Sequence, residues 1–341
     1  MFLRIKKVMQ SKFDDLSNSL LLIVVLLFIA SSSQAAELKL PNGDTYTGDI
    51  VDGERHGLGI YQWQNGNRYE GGFANNRMHG LGQFSWADGR TYRGDFNQDR
   101  REGNGQLAWL NGDTYDGEFL NNDMHGNGRF DWINKDTYEG QFVEGRRSGR
   151  GTFTWASGAQ YTGEFEDGVL QGTGSYRFVD GRQFLGQFTA GIKQGRGVFL
   201  WPNGNRYVGE FVNDLRTGQG LFYWRDGTVY RGLFQDGRQH GWGVKKQPDG
   251  ILDVQYWQEG TLAASDTITS VERCRLEHDG KAWMFRSDKC INGLAHGTGL
   301  VVSLDGDLLV PEARVVLGTI VQGDYLTLPS EAQFNPTPAG G

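Results

Sequence analysis

Several things that usually announce a fold are scarce in this chain. It has only 7 prolines in 341 residues and no Gly-X-Y period, which excludes collagen. It has no excess of positive charge: the net charge is −7 and the pI about 5.4, so there is no global basic field for nucleic acid. Its clearest apolar run, Leu20 to Ala30, has 11 residues, short of the ~20 that a helical bilayer span needs. Catalytic signatures are missing too. There is no G-x-S-x-G, H-E-x-x-H or P-loop, and the HGxG strings lack the third glycine of a dinucleotide fingerprint. Carboxylates are plentiful but recur by period, which singles out no acid/base pair. No catalytic residue, cofactor or metal site is therefore assigned, and the chain is not expected to be an enzyme.

What is abundant is glycine and aromatic rings. There are 52 glycines, where ordinary usage of roughly 7% would give about half as many. Glycine weakens helix interiors, so an all-helical fold is unlikely to be built from such a chain. Aromatic residues make up 13% and bury large areas, which opposes disorder. The combination suggests many short strands joined by tight turns.

The N-terminus has the order of a secretory signal. Arg4, Lys6, Lys7 and Lys12 precede the apolar run, and Ser33-Gln34-Ala35 fits a small-residue cleavage site before Ala36. Residues 1–35 are read as a signal peptide cleaved near Ala35, with Met9 as an alternative start and an uncleaved membrane tether as the competing reading. The expected location is thus the periplasm or the extracellular space. Removing residues 1–35 takes four basic and two acidic side chains away and leaves a net −9. In an exported chain Cys274 and Cys290 are expected to form a disulfide, whose loop of about 15 residues is worth roughly 3 kcal/mol on the chain-entropy model.

The middle of the chain repeats strictly. An aromatic residue followed two later by Gly recurs every 23 residues: Tyr46, Tyr69, Tyr92, Tyr115, Tyr138, Tyr161, Phe184, Tyr207 and Tyr230. With this aromatic as position 0, Gly stands at +2, +11 and +13 in all nine copies. Phe stands at +4 except for Ile50, an aromatic usually at +15, Trp usually at +17, and a turn pair at +19 and +20. Both aromatic sets fall on even steps of a strand, so each points to one face of a sheet. Polar residues such as Asp49, Asp95, Glu118, Glu164 and Glu210 at +3 make the other face wet.

The glycines divide into two kinds. At +7 Gly alternates with Asn76, Asp99, Asn122 and Asp214, which marks a left-handed loop position. At +20 eight copies have Gly, usually after Asn or Asp, a hairpin signal; Lys135 is the exception. At +2, +11 and +13 Asn never appears, so these slots are read as lacking room for a Cβ, with rings lying over bare backbone.

Y-x-G-x-F, then H-G-x-G, then aromatic-x-W-x-(N/D)-G resembles the MORN (membrane occupation and recognition nexus) repeat. The resemblance covers residues 46–252 strictly. It implies an all-β fold: an elongated single antiparallel sheet of consecutive β-hairpins, a β-solenoid-like array. Some proteins with these repeats also carry a lipid-kinase or methyltransferase domain, but the roughly 80 residues after the array are too few for one. The organisation expected is a half-repeat at 36–45, nine repeats at 46–252, and a degenerate, disulfide-closed cap at 253–328 over an otherwise open sheet edge. A disordered tail is expected at 329–341.

Three surfaces invite function. Histidines at +10 (His56, His79, His125, His240, with His296 outside the period) would lie about 9–10 Å apart, too far to share an ion with ligands at ~2 Å, so a loop role is expected. A basic row at +8 and +9 comprises Arg55, Arg77, Arg100, Arg101, Arg146, Arg147, Lys193, Arg216 and Arg238. The aromatic face carries Trp63, Trp86, Trp109, Trp132, Trp155, Trp201 and Trp224 with Tyr69, Tyr92 and Tyr115. The functional expectation is a non-catalytic exported scaffold binding a protein partner or itself through this aromatic-glycine face and the basic row. Anionic lipid or envelope glycan is the alternative ligand, and no nucleic acid is expected.

Overall fold

A computed structural model describes residues 37–268, 274–286 and 290–329. The readings made for the signal peptide and for tail residues 330–341 lie outside the described residues. The described residues divide into two compact units, the first ending at Arg100 and the second beginning at Arg101. In the first, strands from Glu37–Lys39 to Thr91–Asn97 pair antiparallel, each with its chain neighbour. In the second, the same succession runs to Thr261–Ile268. The fold is the expected all-β array of consecutive hairpins.

Each copy contributes a seven-residue strand from −1 to +5 and a nine-residue strand from +8 to +16, as in Thr137–Val143 and Arg146–Thr154. The two-residue turn between them has positive φ at both +6 and +7, for example Asn75 at 50° and Asn76 at 66°. This geometry matches the right-handed twist of flanking strands, which is why it closes tight hairpins. The +19/+20 pair closes a longer loop instead. There Trp86 N–H donates to Arg90 O at 2.9 Å and Gly89 N–H donates to Trp86 O at 3.0 Å. Lys135 takes the same left-handed conformation as its glycine counterparts, with φ 73°.

The three invariant glycines have two different causes. A Cβ on Gly128 (+13) would fall 2.3 Å from Tyr115 Oη, and one on Gly117 (+2) would fall 2.5 Å from Gly128 Cα. At these two positions the ring does lie over bare backbone. Position +11 is different: Gly57, Gly126, Gly149 and Gly172 have φ of 59–63°. It sits at a bulge, where the ladder of Tyr138–Phe142 against Arg147–Phe153 shifts register. In most copies a Cβ there meets the +3 side chain, as with Glu118 below Gly126, but at Gly80, whose +3 residue is Gly72, it meets nothing within 4 Å. That side chain lies across the bulge because it accepts from the +12 amide, Asn127 N–H to Glu118 Oε1 at 2.9 Å and Arg150 N–H to Gln141 Oε1 at 3.0 Å. The left-handed backbone favours glycine in every copy, and the overlying +3 group adds to it where one is present.

The C-terminal segment departs from an edge cap. Lys281–Arg286, Gly297–Ser303, Leu308–Val316 and Thr319–Gln322 form a separate sheet, with the Cys274–Cys290 disulfide in the same region. Its Met284, Leu300, Val302, Leu309 and Leu328 pack on Val244, Leu252 and Val254 of the array. Those array residues stand on the face opposite the aromatic rings: Val244 pairs with Arg231 and Val254 with Val244. The cap therefore covers a face, because that face has become apolar where the array ends. Arg231 forms an ion pair with Asp307, and Gln219 Nε2 donates to Thr327 O at 3.0 Å, holding the cap in place.

Candidate binding surface

The aromatic face is mostly interior. Tyr69, Tyr92 and Tyr115 are 0–1% exposed, so these three rings cannot meet a ligand and belong to the core. The +2 and +13 glycines let each ring sink onto the backbone, and its hydroxyl donates to the +3 carbonyl, as Tyr115 does to Glu118 O at 2.9 Å. Phe at +4 stands edge-on between successive tyrosines: Phe142 lies 5.1 Å from Tyr115 and 5.1 Å from Tyr138. Burial pushes the phenols of Tyr138 and Tyr161 up to about 12, because the ionised form would lose its hydration. The tryptophans are half-buried. Trp132 stacks at 4.3 Å on Phe130 and at 5.4 Å on Phe153 of the next copy, leaving only part of the indole to solvent.

The basic row is two rows. At +9 the cations turn onto the aromatic face. Arg147 lies 4.9 Å from the Phe153 centroid and 5.7 Å from those of Trp132 and Phe165, and its Nη2 donates to Gly168 O at 2.7 Å. Arg216 repeats this with Gly237 O at 2.6 Å, Arg55 with Asn76 O at 2.6 Å, and Arg101 with Asn122 O at 2.6 Å. Lys193 is paired with Asp214 at 2.6 Å. Burial lowers the Arg147 and Arg216 guanidinium pKa. These five cations roof the rings and cap the next loop's carbonyl or carboxylate, which commits part of each to the array itself. The +8 cations Arg77, Arg100, Arg146 and Arg238 are exposed. Of these, Arg146 already pairs with Asp167 at 3.0 Å and Glu144 at 3.6 Å.

Among the described residues no group of three His, Cys, Asp or Glu is placed to hold a metal ion. The +10 histidines stand inside the nine-residue strands beside the bulge, where Tyr115 Oη, for one, donates to the backbone O of His125 at 3.4 Å.

A groove not anticipated from the sequence opens on the opposite face of the second unit. It has a volume of about 1220 Å³ and spans the strands from Asn127–Arg129 to Arg196–Val198. Bare glycines and short hydroxyl side chains line it: Thr152 and Thr162 touch through their Oγ1 atoms at 3.0 Å, with Thr173 and Ser175 beside them. Charges of both signs border it, Arg129, Arg150 and Arg196 against Glu139 and Glu164. Arg129 is neutralised by Asp131 at 2.6 Å, which raises its pKa. Leu185 and Val198 line the groove. Beyond Val198, Val208 and Leu221 form an apolar strip on the same face. The available signal was the exchange at +12 and +14 from arginine in copies 4, 5 and 7 to threonine and serine in copies 5 and 6.

The MORN repeat family model matches nine successive segments, from 46–68 through 115–137 and 138–160 to 230–251. The chain belongs to the MORN repeat family. No curated protein matches this MORN repeat chain. Among solved structures it is similar to the SAS-4 (dCPAP) TCP domain of Drosophila melanogaster, in complex with a proline-rich motif of Ana2 (dSTIL). That pair is 16% identical over 49% of this chain and 85% of the other, with a TM-score of 0.28. The wild-type TCP10 domain of Danio rerio CPAP is 14% identical over 68% and 99%, at a TM-score of 0.29. A streptogramin B lyase is 9% identical over 74% and 91%, at 0.14. Similarity at this level carries no functional argument.

Proposed function

We propose that this MORN repeat chain is an exported, non-catalytic scaffold that binds a protein partner in the groove on its hydroxyl-bearing face. The observation that carries the reading is the groove itself, since the aromatic face is filled by its own rings and roofed by its own arginines. Hydroxyls, a glutamine and charges of both signs supply donors and acceptors at the ~4.8 Å strand interval, which suits an extended polypeptide segment. The carboxylates of Glu139 and Glu164 oppose an anionic lipid, and no aromatic ring lines the groove for a sugar to stack on. Export is supported by the order of residues 4–36 and by the Cys274–Cys290 disulfide, which persists in oxidising compartments.

The test is capture from envelope extract by the immobilised mature chain, compared with a Thr173→Arg/Ser175→Arg variant. Arginine already stands at the same offsets in Arg150, Arg196 and Arg129, so the variant should keep the melting temperature while filling the groove. Loss of a captured protein is expected. A wild-type chain that retains nothing, or capture unaffected by the two arginines, would end this reading. N-terminal sequencing of the protein from its native source checks export: Ala36 should come first.

A further inference from the structure

Each nine-residue strand of the array uses its outer edge to receive the first strand of the next copy. Gly149–Thr154 takes Gln160–Phe165, Gly218–Tyr223 takes Val229–Phe234, and Gly241–Lys246 takes Leu252–Trp257. Thr261–Ile268 is the corresponding strand of a tenth hairpin, paired with Leu252–Gln258 on one side. Among the described residues nothing pairs with its other side. The chain beyond it forms the cap, which packs on the face of the array at Val244, Leu252 and Val254. Thr261, Leu262, Ala263, Ala264, Ser265 and Thr267 are all exposed, although they alternate between the two faces.

An uncovered edge is ordinarily protected by lysine, proline or extreme shortness. The Glu37–Lys39 edge strand shows such protection, with three residues of which two are charged. Thr261–Ile268 has eight residues, no Lys, Arg or Pro, and a single acid, Asp266. It has also lost the glycines: Ala264 and Asp266 stand where every earlier copy has Gly at +11 and +13. Ala264 does not take the positive φ of those glycines, and the ladder slips by the single residue Ala263 between Tyr256 and Trp257, a smaller irregularity than the three-residue bulge at 148–150 in an earlier copy.

We propose that Thr261–Ile268 pairs antiparallel with the same strand of a second chain, giving a closed two-fold dimer. The strand is self-complementary. Setting Ser265 on the two-fold axis, opposite Ser265 of the other chain, brings Ala264 opposite Asp266 and Ala263 opposite Thr267. No like charges meet, and only small side chains meet at the centre. A two-fold contact satisfies both edges at once, whereas pairing with the Glu37–Lys39 edge would run on as an open filament. The interface is one strand wide and small, so the dimer should be weak and concentration-dependent. It goes beyond the partner reading, because none of its residues lines the groove.

Sedimentation velocity of the mature chain across the micromolar range tests it. The mass should double with concentration, and Ser265→Pro and Ala264→Glu, which sets a carboxylate opposite Asp266, should each weaken association by at least about tenfold. Circular dichroism, melting temperature and partner capture should be unchanged, which separates this result from a failure of the groove. Should proline unfold the edge, the exposed Ala264→Glu change decides alone. A chain that stays monomeric throughout, or a dimer that both variants leave intact, overturns the proposal.

Discussion

Replacing Gly128 by alanine tests the physical cause assigned to the invariant glycines. The added Cβ would lie 2.3 Å from Tyr115 Oη and 2.5 Å from its Cε2 and Cζ atoms, where ordinary contact is about 3.5–4.0 Å. The ring cannot swing aside cheaply. It is 1% exposed, and Phe119 and Phe142 stand edge-on to it at 5.2 and 5.1 Å. Its hydroxyl would also leave Glu118 O. Overpacking costs about 1–3 kcal/mol and the hydrogen bond about 1, while alanine returns about 0.4–1 by stiffening the unfolded chain. The net expectation is a loss of about 2–3 kcal/mol.

Two further glycines separate space from backbone angle. A Cβ at Gly158 meets nothing within 4 Å, so Gly158→Ala should cost about 1 kcal/mol, for its left-handed φ of 92° alone. Gly126→Ala should fall between the two, since only the Glu118 carboxylate must move. A repeat array need not unfold in one step, so hydrogen exchange of the amides in Thr114–Leu120 and Asp123–Asp131 is the suitable measurement. If Gly128→Ala costs no more than Gly158→Ala, the ring over the backbone is not what demands glycine.

Lys135→Gly should stabilise the protein by about 0.5–1 kcal/mol, because it relieves a left-handed lysine at φ 73° in a slot where the other eight copies have glycine; a lower melting temperature would contradict this. The row of buried tyrosines should make stability fall at alkaline pH. Their folded pKa, about 12 at Tyr138 and Tyr161, exceeds the unfolded value near 10, so their contribution is complete below about pH 10 and is lost as pH rises toward 12. Phenolate absorbance should therefore appear together with unfolding, and titration near 10 in an intact sheet would refute the burial argument. Arg147→Met should change stability by less than about 1 kcal/mol, since Met78 and Met124 fill the same slot, whereas Arg147→Ala should cost about 1–3 by uncovering the rings. Equal melting temperatures for the two variants would show that Arg147 contributes nothing by packing.

The hairpin array was legible because its turn slots are chemically selective. The exchange of Gly with Asn76, Asp99 and Asp214 at +7 identifies positive φ, and these residues have 66–70°. The preceding residue was not legible. Gln98, Glu144 and Ala190 have φ of 48–50° at +6, yet none is a left-handed residue by preference. A two-residue turn imposes positive φ on both central positions, and the +7 residue secures the turn for both. The +11 glycine was misread for a related reason. Its φ is positive, and at Gly57, Gly126, Gly149, Gly172, Gly195 and Gly218 the +3 carboxylate or amide also lies across the site, whereas at Gly80 the left-handed backbone alone accounts for glycine. The basic row misled because +8 and +9 are adjacent in sequence but point to opposite sides of the strand, one to water and one onto the rings.

The two faces of the sheet are therefore specified by different parts of the period. Positions 0, +4, +15 and +17 carry rings, and the glycines at +2 and +13 let the ring at 0 pack on bare backbone without a second layer. That leaves the opposite-face positions +1, +12 and +14 free to vary, and they vary along the chain. Copies 5 and 6 place Thr152, Thr162, Thr173 and Ser175 there and make a polar groove. Copies 7 to 9 place Val198, Val208, Leu221 and Val244 there and make an apolar strip. An apolar strip needs cover, at about 1.5–3 kcal/mol for each large side chain removed from water. The cap supplies that cover only for the last hairpins. The cap thus sits at the aliphatic end of the array, and the groove centres where +1, +12 and +14 carry hydroxyls. The cap's place and the groove's place are two consequences of one compositional gradient, and moving valine into Thr152 or Thr173 would shift the balance from ligand surface toward cap surface.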